Sequence, residues 1–334
     1  MRAGCAAILI ASLFALPAAA QDAPACAPGA NLLETLPAPD LERLEAAARS
    51  VPNGEGLLFR IERDGLDASH LFGTMHLSDP RVLDLAPAVE TAFADADRLV
   101  VETLDIADEA KMAGQLLMRA DLTQVPPGRE LSDFVPEDRR ADLEAALEEN
   151  GTPLATVRTL QPWFVAVSLA MPACEIARQA EGARVLDLHL LDRAEAEGMA
   201  LSGLETGPEQ LEALASLPLD LQGENLMATL DIADRLPDVF ETMIELYLDG
   251  RIALIGSAIE AVAPAGTDEA SAAEIYAAFE ERVVTARNHT MAERLEPILS
   301  EGGAFVAIGA LHLPGEEGVV ELLSQDGWTV TRVD

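Results

Sequence analysis

LLFRIERDGLDASHLFGTMHLSDPRVLDLAPAVETAFADADRLVVE, residues 57–102, reads as two strands, a helix and a third strand. Segments 57–63 (LLFRIER) and 70–76 (HLFGTMH) are rich in branched and aromatic residues. They flank a turn holding Asp64 and Gly65, the signature of a β-hairpin. Over 80–96 the apolar residues recur with helical period, and 99–102 (LVVE) is a short apolar run of the kind buried on both faces. A strand, a helix and a further strand in succession predict a parallel sheet with a helical crossover, because parallel strands need a connection long enough to bring the chain back.

The rest of the chain extends that pattern. From residue 105 to about 184 it reads as helical. Pro136 lies near the start of a helix that ends at Gly151, and Pro162 opens another, at a position where a missing N–H costs nothing. Segment 185–198 is amphipathic and stops at a glycine, and 199–205 (MALSGLE) returns to strand. Residues 217 to about 286 are helical with a break at Pro264-Ala265-Gly266, and 288–299 is one more helix. An apolar strand (305–309, FVAIG), a helix (316–324) and a last strand (328–333, WTVTRV) follow. The predicted fold is α/β: a mixed, mostly parallel central sheet with a large helical insertion, about 106–198, between N- and C-terminal core segments. A single domain would cover 56–334, preceded by an N-terminal arm at 21–55.

The first twenty residues read as an address. Met1 and Arg2 precede the apolar run 6–16 (AAILIASLFAL), and Pro17-Ala18-Ala19-Ala20 offers small residues before Gln21. That is the order of a secretory signal peptide, with cleavage expected after Ala20 and a periplasmic or secreted mature protein. No later run reaches about eighteen apolar residues, so no membrane insertion is expected after cleavage. Cys5 would leave with the signal. Cys26 and Cys174 remain, either as a disulfide tying the arm to the body, which an oxidising compartment favours, or as separate thiols. The 334 residues carry 22 Lys and Arg against 58 Asp and Glu, a net charge of −36. Such a surface repels a phosphate backbone and excludes nucleic-acid binding. It favours basic peptides or divalent cations as partners.

Four ionisable residues close apolar strands: His76 after LFGTM, Glu102 after LVV, Glu205 after MALSGL and His312 just past FVAIGAL. In open α/β sheets the ligand crevice lies outside the carboxyl ends of the strands, so residues over two hundred positions apart would meet on one edge. Two imidazoles and two carboxylates there make a site for Mn, Zn, Co or Fe. Both histidines sit in a Gly-x-x-His pattern, Gly73-Thr74-Met75-His76 and Gly309-Ala310-Leu311-His312, and glycine permits close backbone approach before the side chain is presented. No Gly-x-Ser-x-Gly elbow, P-loop, His-Glu-x-x-His or dinucleotide fingerprint competes.

LFGTMHLSDPRV with RLVVE, then GLET with Gln210 close behind, then Arg287-Asn288 and FVAIGALHLPGEEGVVELLSQDGWTV together resemble the TraB/PrgY/GumN family. That family includes the Tiki metalloproteases and is related more distantly to the erythromycin-esterase/ChaN-like group. The resemblance covers about residue 57 to the C-terminus and is densest in 73–102 and 305–330. It implies an α/β core with paired Gly-x-x-His motifs and a glutamate forming a metal-dependent peptidase centre. Carried onto this sequence, it points to His76, Glu102 and His312 as metal ligands, with Arg287 and Asn288 as a further motif beside the metal or substrate.

The expectation is therefore a secreted or periplasmic metal-dependent hydrolase, most simply a peptidase. His76, Glu102 and His312 would hold a divalent metal, and Glu205 would serve as general base or fourth ligand. The substrate would be a peptide or other small molecule, basic if the acidic surface selects it. The alternative is a non-catalytic periplasmic protein that binds a peptide, haem or metal through the same residues.

Overall fold

The computed structural model describes residues 29–261 and 277–333. Six strands, β1 (Leu58–Glu62), β2 (Ser69–Thr74), β3 (Arg98–Val101), β4 (Ala200–Gly203), β5 (Ala304–Gly309) and β6 (Thr329–Arg332), form one sheet in the order β4-β3-β5-β2-β1-β6. β1 and β2 make the expected antiparallel hairpin, with Leu58 opposite Phe72, and β6 pairs antiparallel with β1. β2, β5, β3 and β4 run parallel. The sheet is thus mixed and mostly parallel.

The crossover from β2 to β3 does not join neighbours. β5, from the far end of the chain, lies between them, with Phe72 and Val101 both in register with Ala307. All six β5 residues are buried, so this strand is covered on both faces and paired on both edges. A strand with no polar side chain is best placed in the middle of a sheet. Alternation then divides it between two cores. Phe305 and Ala307 join Phe72, Leu99 and Val101 on the face covered by most of the helices. Val306 and Ile308 join Leu71 and Val100 on the other face, against Leu295 and Leu299 of the Ala286–Leu299 helix and Val319 and Leu323 of the Val319–Gln325 helix.

Between β3 and β4 the named elements are all helical, and part of this region builds a separate small core from Leu131, Leu143, Leu147, Val165 and Leu169. The helix expected over 80–96 is two, Pro80–Leu83 and Pro87–Ala94. Pro87 lacks an N–H and pushes Ala86 to ψ 147°, outside the helical region. Helix Leu186–Glu197 ends as expected on Gly198 in the left-handed region (φ 73°), where only glycine is unstrained.

At its start, the described chain is stitched to the Leu236–Leu248 helix. Ala30 N–H donates to Asp238 at 2.8 Å and Leu32 N–H to Thr242 Oγ1 at 2.8 Å. The signal sequence expected at 1–20, Cys26 and the break expected at 264–266 lie outside the described residues. Among the described residues, no helix is long and apolar enough to cross a membrane.

Candidate functional site

The carboxyl ends of β2, β3, β4 and β5 carry His76, Glu102, Glu205 and His312. Glu102 follows β3 directly, and the amide of Glu205 donates to the Glu102 carbonyl at 2.6 Å, joining the two acid-bearing strand ends. His312 closes a short 3₁₀ turn, Ala310–His312, that follows β5.

The two glycines of the paired motifs each make room for the other motif. A Cβ on Gly309 would stand 3.1 Å from Glu102 Oε1, 3.5 Å from His76 Nε2 and 3.5 Å from His312 Cδ2, so all three side chains ring the bare α-carbon. A Cβ on Gly73 would stand 2.6 Å from Leu313 Cδ1 and 3.0 Å from Ala310 Cα, so only glycine lets the His312 turn lie across β2.

Each imidazole is held by its Nδ1. His76 Nδ1 is 2.7 Å from Asp187 Oδ2, and the other oxygen of this buried acid accepts from Thr74 Oγ1 at 2.7 Å. His312 Nδ1 is 2.6 Å from Asn288 Oδ1, while Asn288 Nδ2 donates to the Glu317 carbonyl at 2.8 Å. That second bond fixes the amide, so Asn288 Oδ1 accepts and His312 Nδ1 donates, leaving the Nε2 of a neutral His312 with a lone pair. Burial, then the Arg287 charge, lowers the His312 pKa to about 3 and keeps it neutral. His76 behaves oppositely. Burial opposes its charge, but the Asp187 carboxylate outweighs burial and raises the pKa to about 9. The His76 side chain is 20% exposed against 7% for His312, so the cluster opens to solvent on the His76 side.

Arg287 is the cation of the cluster. From the Ala286–Leu299 helix its Nη2 reaches Glu102 Oε2 at 2.6 Å and Glu205 Oε2 at 2.7 Å, and its Nε reaches Glu205 Oε1 at 3.0 Å. The six residues before this helix, Glu280–Thr285, form a π-helical turn, and Val283 in it accepts from Arg287 Nη1 at 3.3 Å. Gln210 Nε2 donates to Glu102 Oε2 at 3.0 Å, and the Gly309 amide donates to Glu102 Oε1 at 2.7 Å. Burial alone would raise the Glu102 carboxyl. Arg287, both imidazoles and the Gly309 amide outweigh it and hold Glu102 far below the usual carboxylate range.

The donor set suits a divalent metal: two imidazoles with Nδ1 already anchored, and a carboxylate between them. As the side chains stand, no group of three His, Cys, Asp or Glu among the described residues is arranged to hold a metal. Glu102 is engaged at both oxygens, one facing Arg287 and Gln210 and the other the Gly309 amide, while His312 Nε2 lies 3.8 Å from Glu102 Oε1.

The six residues expected around a metal fall in one region: Glu102, Glu205 and Arg287 are joined by ion pairs, Asn288 holds His312, and His76 and His312 border Gly309 together with Glu102. Of the predicted cysteine pair, Cys174 lies in helix Ala173–Ala180 and Cys26 falls outside the described residues. Asp187 and Thr74 were not singled out. Asp187 carried a legible signal, because it shares the stripe of Leu190, Leu191 and Ala194 that buries its helix, where an acid needs a partner. Each motif also borders a cavity. Leu77 and Asp79, just after His76, line one of about 910 Å³, and Leu311 and Asn288 line another of about 330 Å³.

A model of the TraB/PrgY/gumN family matches residues 57–332. The chain is 26% identical over 308 residues to a protein named Metalloprotease TIKI2 from Xenopus tropicalis, covering 78% of this chain and 57% of that one. It is 25% identical over 317 residues to Metalloprotease TIKI1 from Danio rerio, covering 82% of this chain and 62% of the relative. Metalloprotease TIKI1 from Homo sapiens is 24% identical over 319 residues, covering 82% and 61%. The chain therefore spans less than two thirds of the length of these relatives. No solved structure matches. With the family model spanning the whole sheet and every residue of the cluster, the chain belongs to the TraB/PrgY/gumN family.

Proposed function

We propose that this protein is an exported metal-dependent hydrolase acting on peptides. The observation that carries the reading is the ring around Gly309, where His76 Nε2, Glu102 Oε1 and the His312 ring surround one bare α-carbon. The anchoring of both Nδ1 atoms by Asp187 and Asn288 supports it, as does the word metalloprotease in the names of the relatives. His76, Glu102 and His312 would hold the metal, of the Mn, Zn, Co or Fe group. Bound there, a divalent metal supplies Lewis acidity toward a carbonyl and lowers the pKa of water.

The chain's own residues have separable tasks. Asp187 and Asn288 hold the imidazoles in one orientation. Arg287 carries positive charge into a buried, carboxylate-rich site, where it can face oxygen that gains negative charge during peptide cleavage. Glu205, with both oxygens against Arg287, is the group that positions that guanidinium. In its role as general base it would have to share this contact. The signal sequence at 1–20 would deliver the protein to the periplasm or beyond, where Cys26 and Cys174 would pair.

The test is mass spectrometry of a peptide library incubated with the mature protein, with and without chelator. New termini that appear only without chelator, and are absent with His312→Ala, support the reading. An unchanged library contradicts it. One observation favours a second reading, a protein that binds peptide, haem or metal without turnover: both carboxylates are already engaged by Arg287. Peptide retention without new termini would select it.

A further inference from the structure

The cavity of about 330 Å³ beside the second Gly-x-x-His motif is built from two kinds of wall. Its floor is apolar, with Ile252, Ile259 and Phe279 buried and Leu311, the residue before His312, closing one side. Its mouth is acidic, bordered by Glu280, Glu316 and Glu317, and no Lys or Arg lines it among the described residues. Glu317 meets the imidazole of His289 at 3.2 Å, while Glu280 and Glu316 form no ion pair with a described residue. Asn288 also lines the cavity, and its Oδ1 is the atom that holds His312. One side chain thus separates this space from the candidate metal ligands.

An acidic mouth alone would suit any cation. An apolar floor beneath it suits a cation carried on a hydrocarbon stem, which buries the stem and leaves the charge near water. The volume is at the small end for ligand sites, the scale of a single side chain rather than a cofactor. Partial burial, reinforced by the Glu317 charge, raises the Glu280 carboxyl, as expected of like charges with no cation between them.

We propose that this cavity is the specificity subsite of the centre and accepts an arginine or lysine side chain of the substrate. The proposal rests on the peptide-hydrolase reading for the identity of the substrate, but the cavity's preference is measurable without turnover.

The experiment uses the mature protein and three fluorescein-labelled alanine hexapeptides that differ at one central position: arginine, norleucine or glutamate. Fluorescence anisotropy at low ionic strength should show arginine binding at least about tenfold more tightly than glutamate, with norleucine between. The triple variant Glu280→Gln, Glu316→Gln, Glu317→Gln should bring arginine and norleucine together. Ser257→Phe, which fills the cavity, should weaken both. Equal affinity for all three peptides, binding of none, or an arginine preference unchanged in the triple variant overturns the proposal. Cleavage of the same peptides is scored separately. An arginine preference without cleavage leaves the subsite standing and removes the hydrolase, and cleavage without preference does the reverse.

Discussion

Gly309 and His76 belong to different motifs 233 residues apart, yet a side chain on Gly309 would begin 3.5 Å from His76 Nε2. Gly73 stands in the converse relation to the His312 turn. The second glycine of the pair is therefore an empty volume beside His76, Glu102 and His312, and the first is a packing requirement beneath them.

Gly309→Ala should act on the site more than on the fold. The φ of Gly309 is −52°, open to any residue, and the atoms nearest the new methyl are those of Glu102, His76 and His312, the first a carboxylate oxygen 3.1 Å away and already clamped on both sides. Metal affinity and peptide cleavage should fall at least about tenfold. Gly73→Ala should instead destabilise by about 1–3 kcal/mol, because its methyl would press on Leu313 and the Ala310 backbone. Calorimetric metal titration and urea unfolding of both variants check the contrast.

Arg287 shares its guanidinium between two buried acids, so Arg287→Met leaves Glu102 and Glu205 without the cation that bridges them. In chelator the variant should lose about 3–5 kcal/mol of stability, the usual cost of orphaning a buried charge. Saturating Mn²⁺ should stabilise the variant more than the wild type. An equal metal-induced rise in melting temperature for both would count against a metal beside these carboxylates.

The His76–Asp187 pair makes metal-free stability depend on pH in a set direction. The folded-state pKa of His76 is raised to about 9, so the pair's contribution is full below the ordinary histidine value of about 6.5. It is lost as pH rises through about 9. In chelator, the difference in unfolding free energy between wild type and Asp187→Asn should shrink across that window. A constant difference from pH 6 to pH 10 would contradict the assignment.

Gly29 and Cys174 line the same 910 Å³ cavity, and Cys26 is three residues before Gly29, about 10 Å of extended chain. That reach is compatible with the proposed Cys26–Cys174 disulfide of an exported protein. Thiol titration of denatured, unreduced protein should find no free thiol, and two would refute the bond.

The sheet was legible because its strands announce themselves. The run 305–309 is wholly apolar, and the hairpin brackets its own turn at Asp64 and Gly65. The strand-end residues His76, Glu102, Glu205 and His312 were legible for the same reason, since each interrupts or directly follows an apolar run. The strand order was not. Nothing near β2 or β3 records that a strand two hundred residues later inserts between them, because that preference belongs to β5 and its need for cover on two edges. Arg287 was visible only as one half of a motif. The π-helical turn before it, whose Val283 carbonyl accepts from Arg287 Nη1, is a local widening that no residue pattern in 280–285 announces.

Whether His76, Glu102 and His312 meet at one metal is decided by calorimetric titration of metal-stripped mature protein with Mn²⁺, Zn²⁺ and Co²⁺. One site per chain is expected for at least one of these ions. Affinity should fall at least about a hundredfold in His76→Ala and in His312→Ala and stay unchanged in His189→Ala, with melting temperatures showing that all three variants remain folded. No uptake by the wild type, or equal uptake by both histidine variants, would contradict it.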